Sequence, residues 1–309
     1  MKDIFKHIDL RVEQKRKTGR HSTADLYRAS GNRLQRFFGN KPLPFSAITA
    51  SLVADFKNYL KDQGLKPNTV VSYLSSLRAI YNMARKDKLF TSSQQPFAGL
   101  KLKPEITVKP VIPFRTMEEV ASLDLHKEPE LELAAHINSF SFMACGMPFV
   151  DISRLTADNL QDGILVYNRH KTGTQVCVHI TRGMQKLIDK YQSSETPFLF
   201  PILKSKEVKY NTYKKILNTY NKQLLILGTR LPVPCKLTSY SQRRVWAQEA
   251  QRQHMPLCNI RLALGHTSEK TTQFYLKGSD PSELFRANEP IIKDVNISVL
   301  KDNKTLFTE

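Results

Sequence analysis

The chain has 309 residues, 40% of them hydrophobic and 24% charged, with 47 Lys+Arg against 28 Asp+Glu and a formal net charge of +19. That length suits two ordinary domains, and no stretch approaches the roughly 18 uninterrupted apolar residues of a membrane span. The opening Met1-Lys2-Asp3-Ile4-Phe5-Lys6 lacks the apolar core of a secretory signal, so the sequence predicts a cytoplasmic protein without a membrane partner. A surplus of 19 positive charges repels itself in a compact fold unless a polyanion takes it up, which points to nucleic acid.

Taken in chain order, the first predicted helix starts at Ser22, places Leu26, Leu34 and Phe37 or Phe38 on one face and stops at Gly39. A shorter one carries Leu52, Phe56 and Leu60 between Thr49 and Gly64. A third, over 69–86, has Val70, Leu74, Leu77, Tyr81 and Ala84 in a helical stripe behind the start signal Pro67-Asn68. Three or four such helices make a small bundle whose outer faces carry Arg28, Arg33, Arg36, Lys57, Arg78, Arg85, Lys86 and Lys88. Residues 1–110 hold 21 Lys+Arg and 8 Asp+Glu, a net of 21 − 8 = +13, leaving +6 for the rest. Pro104, Pro110 and Pro113 then interrupt helix propagation and favour extended backbone, which predicts a linker over 104–113 between domains at 1–103 and 114–290, with a tail at 291–309.

Beyond the linker the pattern is mixed but mostly helical. A helix is expected over 131–144. Strand-like runs at 163–167 and 175–180 flank Asn168-Arg169-His170-Lys171-Thr172-Gly173-Thr174, whose glycine and polar residues turn the chain into a β-hairpin with Lys171 at its tip. Two apolar stripes follow, Met184, Leu187, Ile188 and Tyr191, then Tyr213, Leu217, Tyr220, Leu224 and Leu227. A further helix begins in 236–247 and carries Arg243 and Arg244. Residues 201–250 hold ten basic and two acidic side chains, giving a second basic region. The expected fold class is therefore mainly α with a small antiparallel β-sheet, in two domains.

Cys145, Cys177, Cys235 and Cys258 form no Cys-x-x-Cys pair and have no histidine at zinc-finger spacing. Neither His-Glu-x-x-His, nor a phosphate loop, nor Gly-x-Gly-x-x-Gly is present, which removes the usual supports for metalloproteolysis, NTP hydrolysis and nicotinamide chemistry. Near the C-terminus, Leu264-Gly265-His266-Thr267-Ser268-Glu269 combines a glycine turn, a histidine and a capped helix start, with Tyr275 nine residues after the histidine. Each of these residues, taken singly, has an ordinary structural explanation. Their order, a hairpin lysine, a helix arginine, Leu-Gly-His and then tyrosine, resembles the tyrosine recombinase (phage-integrase-type) family over nearly the whole chain.

That resemblance implies a helical core-binding domain of SAM-like type, a catalytic domain, and strand transfer through a 3′-phosphotyrosyl bond with no cofactor and no metal. Tyr275 takes the place of the nucleophile, and His266 that of a hydrogen-bond donor to a phosphate oxygen. Arg243 corresponds to a bidentate clamp on the non-bridging oxygens and Lys171 to the acid that protonates the leaving 5′-oxygen. The residue types suit the task, because covalent attachment conserves the phosphodiester energy and fixed cations hold the developing charge. Arg28, Arg33, Lys57, Arg78, Arg85 and Arg244 are the expected DNA-binding residues. The implied partners are double-stranded DNA, three further copies in a homotetramer assembled partly through the C-terminal tail, and an accessory DNA-bending protein.

Two positions depart from the family pattern. Tyr240 stands where a general-base histidine is expected, and a phenol, with an ordinary pKa of about 10, is a poor base at pH 7. Pro148, in Cys145-Gly146-Met147-Pro148-Phe149-Val150-Asp151, occupies the position of the first catalytic arginine. Arg244 is the expected substitute, while Arg154 is expected to pair with Asp151. A binding-only relative of the family and a helical DNA-binding regulator remain the alternative functions.

Overall fold

Helix-forming runs punctuated by glycine and proline divide into two compact units, Met1–Val108 and Lys109–Glu309. The computed structural model describes residues 3–91, 93–105, 112–273 and 276. Most of the expected linker (106–111), Tyr275 and the tail (291–309) lie outside the described residues.

The first unit contains α1 (Ile4–Lys17), α2 (His21–Phe37), α3 (Ala50–Asp62) and α4 (Pro67–Lys86). Helix α1, which the apolar pattern did not single out, is capped by Asp3, whose carboxylate accepts from the Phe5 amide at 3.3 Å. Its Ile4, Ile8 and Val12 are buried. Gly31 of α2 lets the two helices close, since a Cβ there would lie 2.9 Å from Ile8 Cγ2. Thr49 caps α3 by accepting from Leu52 N at 3.2 Å, and Pro67 starts α4, where its missing N–H costs no helical bond. Leu34, Phe45, Phe56, Leu60, Leu74, Leu77 and Tyr81 form one core. Each fully buried side chain of this kind contributes roughly 1.5–3 kcal/mol. Arg28, Arg33, Arg36, Lys57, Arg78 and Arg85 remain partly or fully exposed.

The second unit contains α5 (Arg115–Ala121), α6 (Pro129–Met143) and α7 (Phe149–Ile152), then β1 (Leu160–Gln161), β2 (Ile164–Asn168) and β3 (Gln175–His179). Helices α8 (Arg182–Tyr191), α9 (Tyr210–Thr229), α10 (Ser241–Arg252), α11 (Leu257–Leu264) and α12 (Glu269–Gln273) follow. The strands form an antiparallel sheet in the order β1-β2-β3, with Asn168 opposite Gln175 next to the turn of the expected hairpin. Phe140 of α6 lies at the centre of a core that also holds Phe149, Leu165, Ile188, Phe200, Tyr220 and Leu224. Ala247, Ala250, Ile260 and Leu264 make a smaller cluster between α10 and α11, against which Leu276 packs. The chain is thus mainly α with a small antiparallel sheet, and none of its described helices is long and apolar enough to cross a membrane.

Candidate active site

Four short segments meet around Arg243, the second and fourth of them adjoining at Gly265. The first is the turn after α6, where Cys145 and Gly146 take φ values of 56° and 70°. A Cβ on Gly146 would stand 2.5 Å from Arg243 Cα, so only glycine lets α10 come this close. The Gly146 carbonyl accepts from Arg243 Nη1 at 3.0 Å. The second segment is the end of α11, closed by Gly265 in the left-handed conformation. Helix C-termini leave carbonyls without helical partners and carry partial negative charge. Here the Leu264 carbonyl accepts from Arg243 Nη2 and also from Arg169 Nη1.

Arg169 comes from the third segment, the base of the hairpin. Its amide donates to Thr174 O at 2.8 Å, and its carbonyl accepts from Gly173 N at 2.8 Å. Its Nε donates to Asp151 Oδ2 at 3.0 Å, while Asp151 Oδ1 accepts from the His170 amide at 2.8 Å. Asp151 therefore pairs with Arg169 and not with Arg154, correcting the expectation from helical spacing. Arg154 instead lies over the Tyr213 ring, 5.5 Å from its centroid. Burial pushes the Asp151 carboxyl above its usual range, against the opposing pull of the His170 amide and the Arg169 cation.

The fourth segment is the Gly265-His266 turn running into α12. His266 Nε2 lies 3.0 Å from Arg243 Nη2, and its Nδ1 lies 3.0 Å from Thr272 Oγ1. A guanidinium only donates, so Nε2 accepts and the imidazole proton sits on Nδ1, from which it is donated to Thr272. Burial, then the charges of Arg243, Arg169 and Lys171, push His266 down to about 4. The imidazole is thus neutral at pH 7.

Of the residues expected from sequence, Arg243 and His266 are brought into contact, and Lys171 lies near enough for its charge to act on His266. Arg243 is 1% exposed and His266 7% exposed. Lys171 lies exposed in the turn between β2 and β3. Tyr240 precedes α10 and is 43% exposed. Arg244 is half-buried beside Arg243 on α10. Pro148 is buried as the residue before α7, where its carbonyl accepts from the Asp151 amide at 2.9 Å. Two participants were missed. Thr272, fully buried, orients His266, and nothing in its sequence context distinguishes it. Arg169, 4% exposed, had a usable signal: the buried alternation Leu165, Tyr167 continues onto it.

Residues 3–102 match the phage integrase SAM-like domain, and residues 137–281 match the phage integrase family. Both units carry phage integrase domains. Over 237 residues the chain is 23% identical to the integrase of Escherichia phage P2, covering 76% of this chain and 63% of that relative's length. These matches support membership of the tyrosine recombinase family. The fold is that of a lambda integrase dimer bound to a COC′ core site (TM-score 0.65, 15% identity, covering 87% of this chain and 94% of the other). It is likewise that of the Tn1549 transposon integrase in complex with a circular intermediate DNA (TM-score 0.59, 15% identity, 94% and 100%). A lambda integrase tetramer bound to a Holliday junction is similar too (TM-score 0.60, 16% identity, 84% and 73%).

Proposed function

We propose that the protein is a site-specific DNA recombinase of a mobile element, cutting and rejoining double-stranded DNA through a 3′-phosphotyrosyl intermediate. One observation carries this reading: Arg243, His266 and the charge of Lys171, separated by up to 95 positions, converge beside the segment that leads to Tyr275. Tyr275 follows Thr272 by three positions, a covalent span of at most about 11 Å. Thr272 is bonded to His266, and Leu276, the residue after Tyr275, packs on the α10 and α11 cluster.

In the proposed step the Tyr275 oxygen forms a bond to the scissile phosphorus as its proton passes to solvent. The P–O5′ bond breaks, and the leaving oxygen takes its proton from Lys171. No redox change occurs, and the bond count is conserved for the reverse attack by a second DNA end. Arg243 turns from the Leu264 carbonyl to the non-bridging oxygens. His266, relieved of its acceptor role, takes a proton on Nε2 and donates to phosphate, whose negative charge favours that protonation. Tyr240 donates a hydrogen bond nearby, without serving as base.

On this reading residues 1–103 form the core-binding domain, with Arg28, Arg33, Lys57, Arg78 and Arg85 on phosphates, and residues 114–290 form the catalytic domain, assisted by Arg244. The protein acts in the cytoplasm as a homotetramer on DNA, joined partly by the tail at 291–309 and helped by an accessory DNA-bending protein. The lambda integrase tetramer on a Holliday junction supports the assembly.

The test is capture of covalent product. Wild-type protein is incubated with fragmented DNA of the source genome, denatured, and the DNA that stays attached is sequenced. Wild type should yield a discrete site, and Tyr275→Phe none; adduct persisting in that variant overturns the assignment. Pro148 favours a second reading, a relative that grips its site without cleaving. That reading holds if wild type forms no adduct while Pro148→Arg does.

A further inference from the structure

Two buried guanidinium groups share one acceptor, since Arg169 Nη1 and Arg243 Nη2 both donate to Leu264 O. Two donors on a single oxygen lie within about 6 Å of each other. Like charges that close repel strongly away from water, and among the described ion pairs a single carboxylate, Asp151, offsets them. The cluster of Arg169, Arg243, Lys171, Asp151 and neutral His266 therefore carries a surplus of positive charge at the place where a phosphate would bring negative charge.

The position of Arg169 is rigid. Its main chain is clamped across the hairpin base by Thr174 and Gly173, and its side chain is held through Nε and Nη1. Those bonds leave Nη2 as the one guanidinium nitrogen they do not use. The other basic residues considered for the role of the missing arginine are placed differently. Arg154 lies over the Tyr213 ring, and Arg244 is the half-buried neighbour of Arg243 on α10. Neither is bonded to the Leu264 carbonyl that organises the centre. At 4% exposure Arg169 is buried to nearly the same degree as Arg243, and it reaches the shared oxygen from the hairpin while Arg243 reaches it from α10.

We infer that Arg169 supplies the second guanidinium that Pro148 cannot, contacting the scissile phosphate through Nη2 beside Arg243. Arg169 makes and breaks no bond; it stabilises the extra negative charge as Tyr275 attacks and the 5′-oxygen leaves. This assignment rests on the strand-transfer reading. It also gives the Asp151 carboxylate a function, which is to hold an arginine that enters from the hairpin and not from α7.

The discriminating probe is a synthetic duplex of the captured site, made with either an ordinary phosphate or an uncharged methylphosphonate at the scissile position. On phosphate, Arg169→Ala should slow covalent adduct formation roughly 10²- to 10³-fold relative to wild type. On methylphosphonate, where a non-bridging charge has been removed, the variant should come within about tenfold of wild type. Lys171→Ala, acting on the leaving oxygen, should stay slow on both. Equal impairment of Arg169→Ala on both duplexes would assign it a purely structural role and overturn the inference, as would no impairment on phosphate. Should Arg169→Ala shift the thermal unfolding midpoint, Arg169→Lys is read instead. It keeps a charge for Asp151 but lacks Nη2, so it should be slow on phosphate, rescued on methylphosphonate and unchanged in unfolding. Absence of any wild-type adduct is a separate result, which sinks the strand-transfer reading and this assignment together.

Discussion

In the first unit Arg28, Arg33, Arg78 and Arg85 lie at the surface of a bundle with its own apolar core, whereas in the second Arg169 and Arg243 lie beneath it, 4% and 1% exposed. The surface cations have loose partners: Arg28 pairs with Asp9, both well exposed, and such pairs add about 0–1 kcal/mol. The buried cations are held by carbonyls, a carboxylate and an imidazole in fixed directions. Exposed charge is screened by salt and suits attraction to a polyanion anywhere along its length. Buried charge survives only where every partner is in place, and it acts on one oxygen at one distance. The +13 of residues 1–110 thus argues for grip, while chemistry depends on a few cations that net charge does not reveal.

The sharpest way to break this contrast is Gly146→Ala. The added Cβ would meet the Arg243 backbone at 2.5 Å from a position with φ of 70°, so relief requires moving α10 or the turn. Overpacking and left-handed strain together predict a loss of roughly 2–4 kcal/mol in the second unit. Thermal unfolding should show that unit's transition falling while the first unit's stays, with adduct formation lost.

The reverse experiment acts on the first unit alone. Arg78 and Arg85 lie one side of α4 and border a cleft of about 270 Å³ with Asn82 and Gln95. Arg78→Ala with Arg85→Ala should weaken DNA binding about tenfold and reduce the slope of log affinity against log salt by about 2. The rate of covalent attachment at saturating protein should not change. An unchanged slope would remove α4 from the DNA surface.

A smaller effect separates the units by pH. His266 is held neutral down to about pH 4, whereas in the unfolded chain it protonates near 6.5. As pH falls from 7 the unfolded state takes up the proton first, so stability present above about 6.5 is progressively lost as pH falls to about 4. After allowance for solvent screening the loss is on the order of 1 kcal/mol. His266→Gln should flatten that decline in the second unit's transition and leave the first unit's pH response alone.

Helices α2, α3 and α4 were legible because glycine, proline or threonine marks their ends and apolar residues recur at helical spacing. Helix α1 was not, because Ile4, Ile8 and Val12 are spaced among charged residues and become a face only when α2 covers them. The hairpin was legible from its alternation and its glycine, and with it the exposed place of Lys171. The partner of Asp151 was read wrongly for a reason of scale. Arg154 is three residues away along the chain, but an eighteen-residue separation across the hairpin brings Arg169 to the carboxylate instead.

By itself the sequence determined helices α2 to α4, the hairpin, the two basic regions and the order lysine, arginine, histidine, tyrosine, because these depend on local spacing and residue type. Only the tertiary structure decided which cations share a centre. Arg169 and Arg243 reach one carbonyl from segments 95 and 21 residues away from it, and Arg243 fixes the tautomer of His266 while Thr272 orients its ring. Contacts of that kind follow from how α10, α11 and the hairpin close around Gly146 and Gly265, where the absence of a side chain lets the backbones meet.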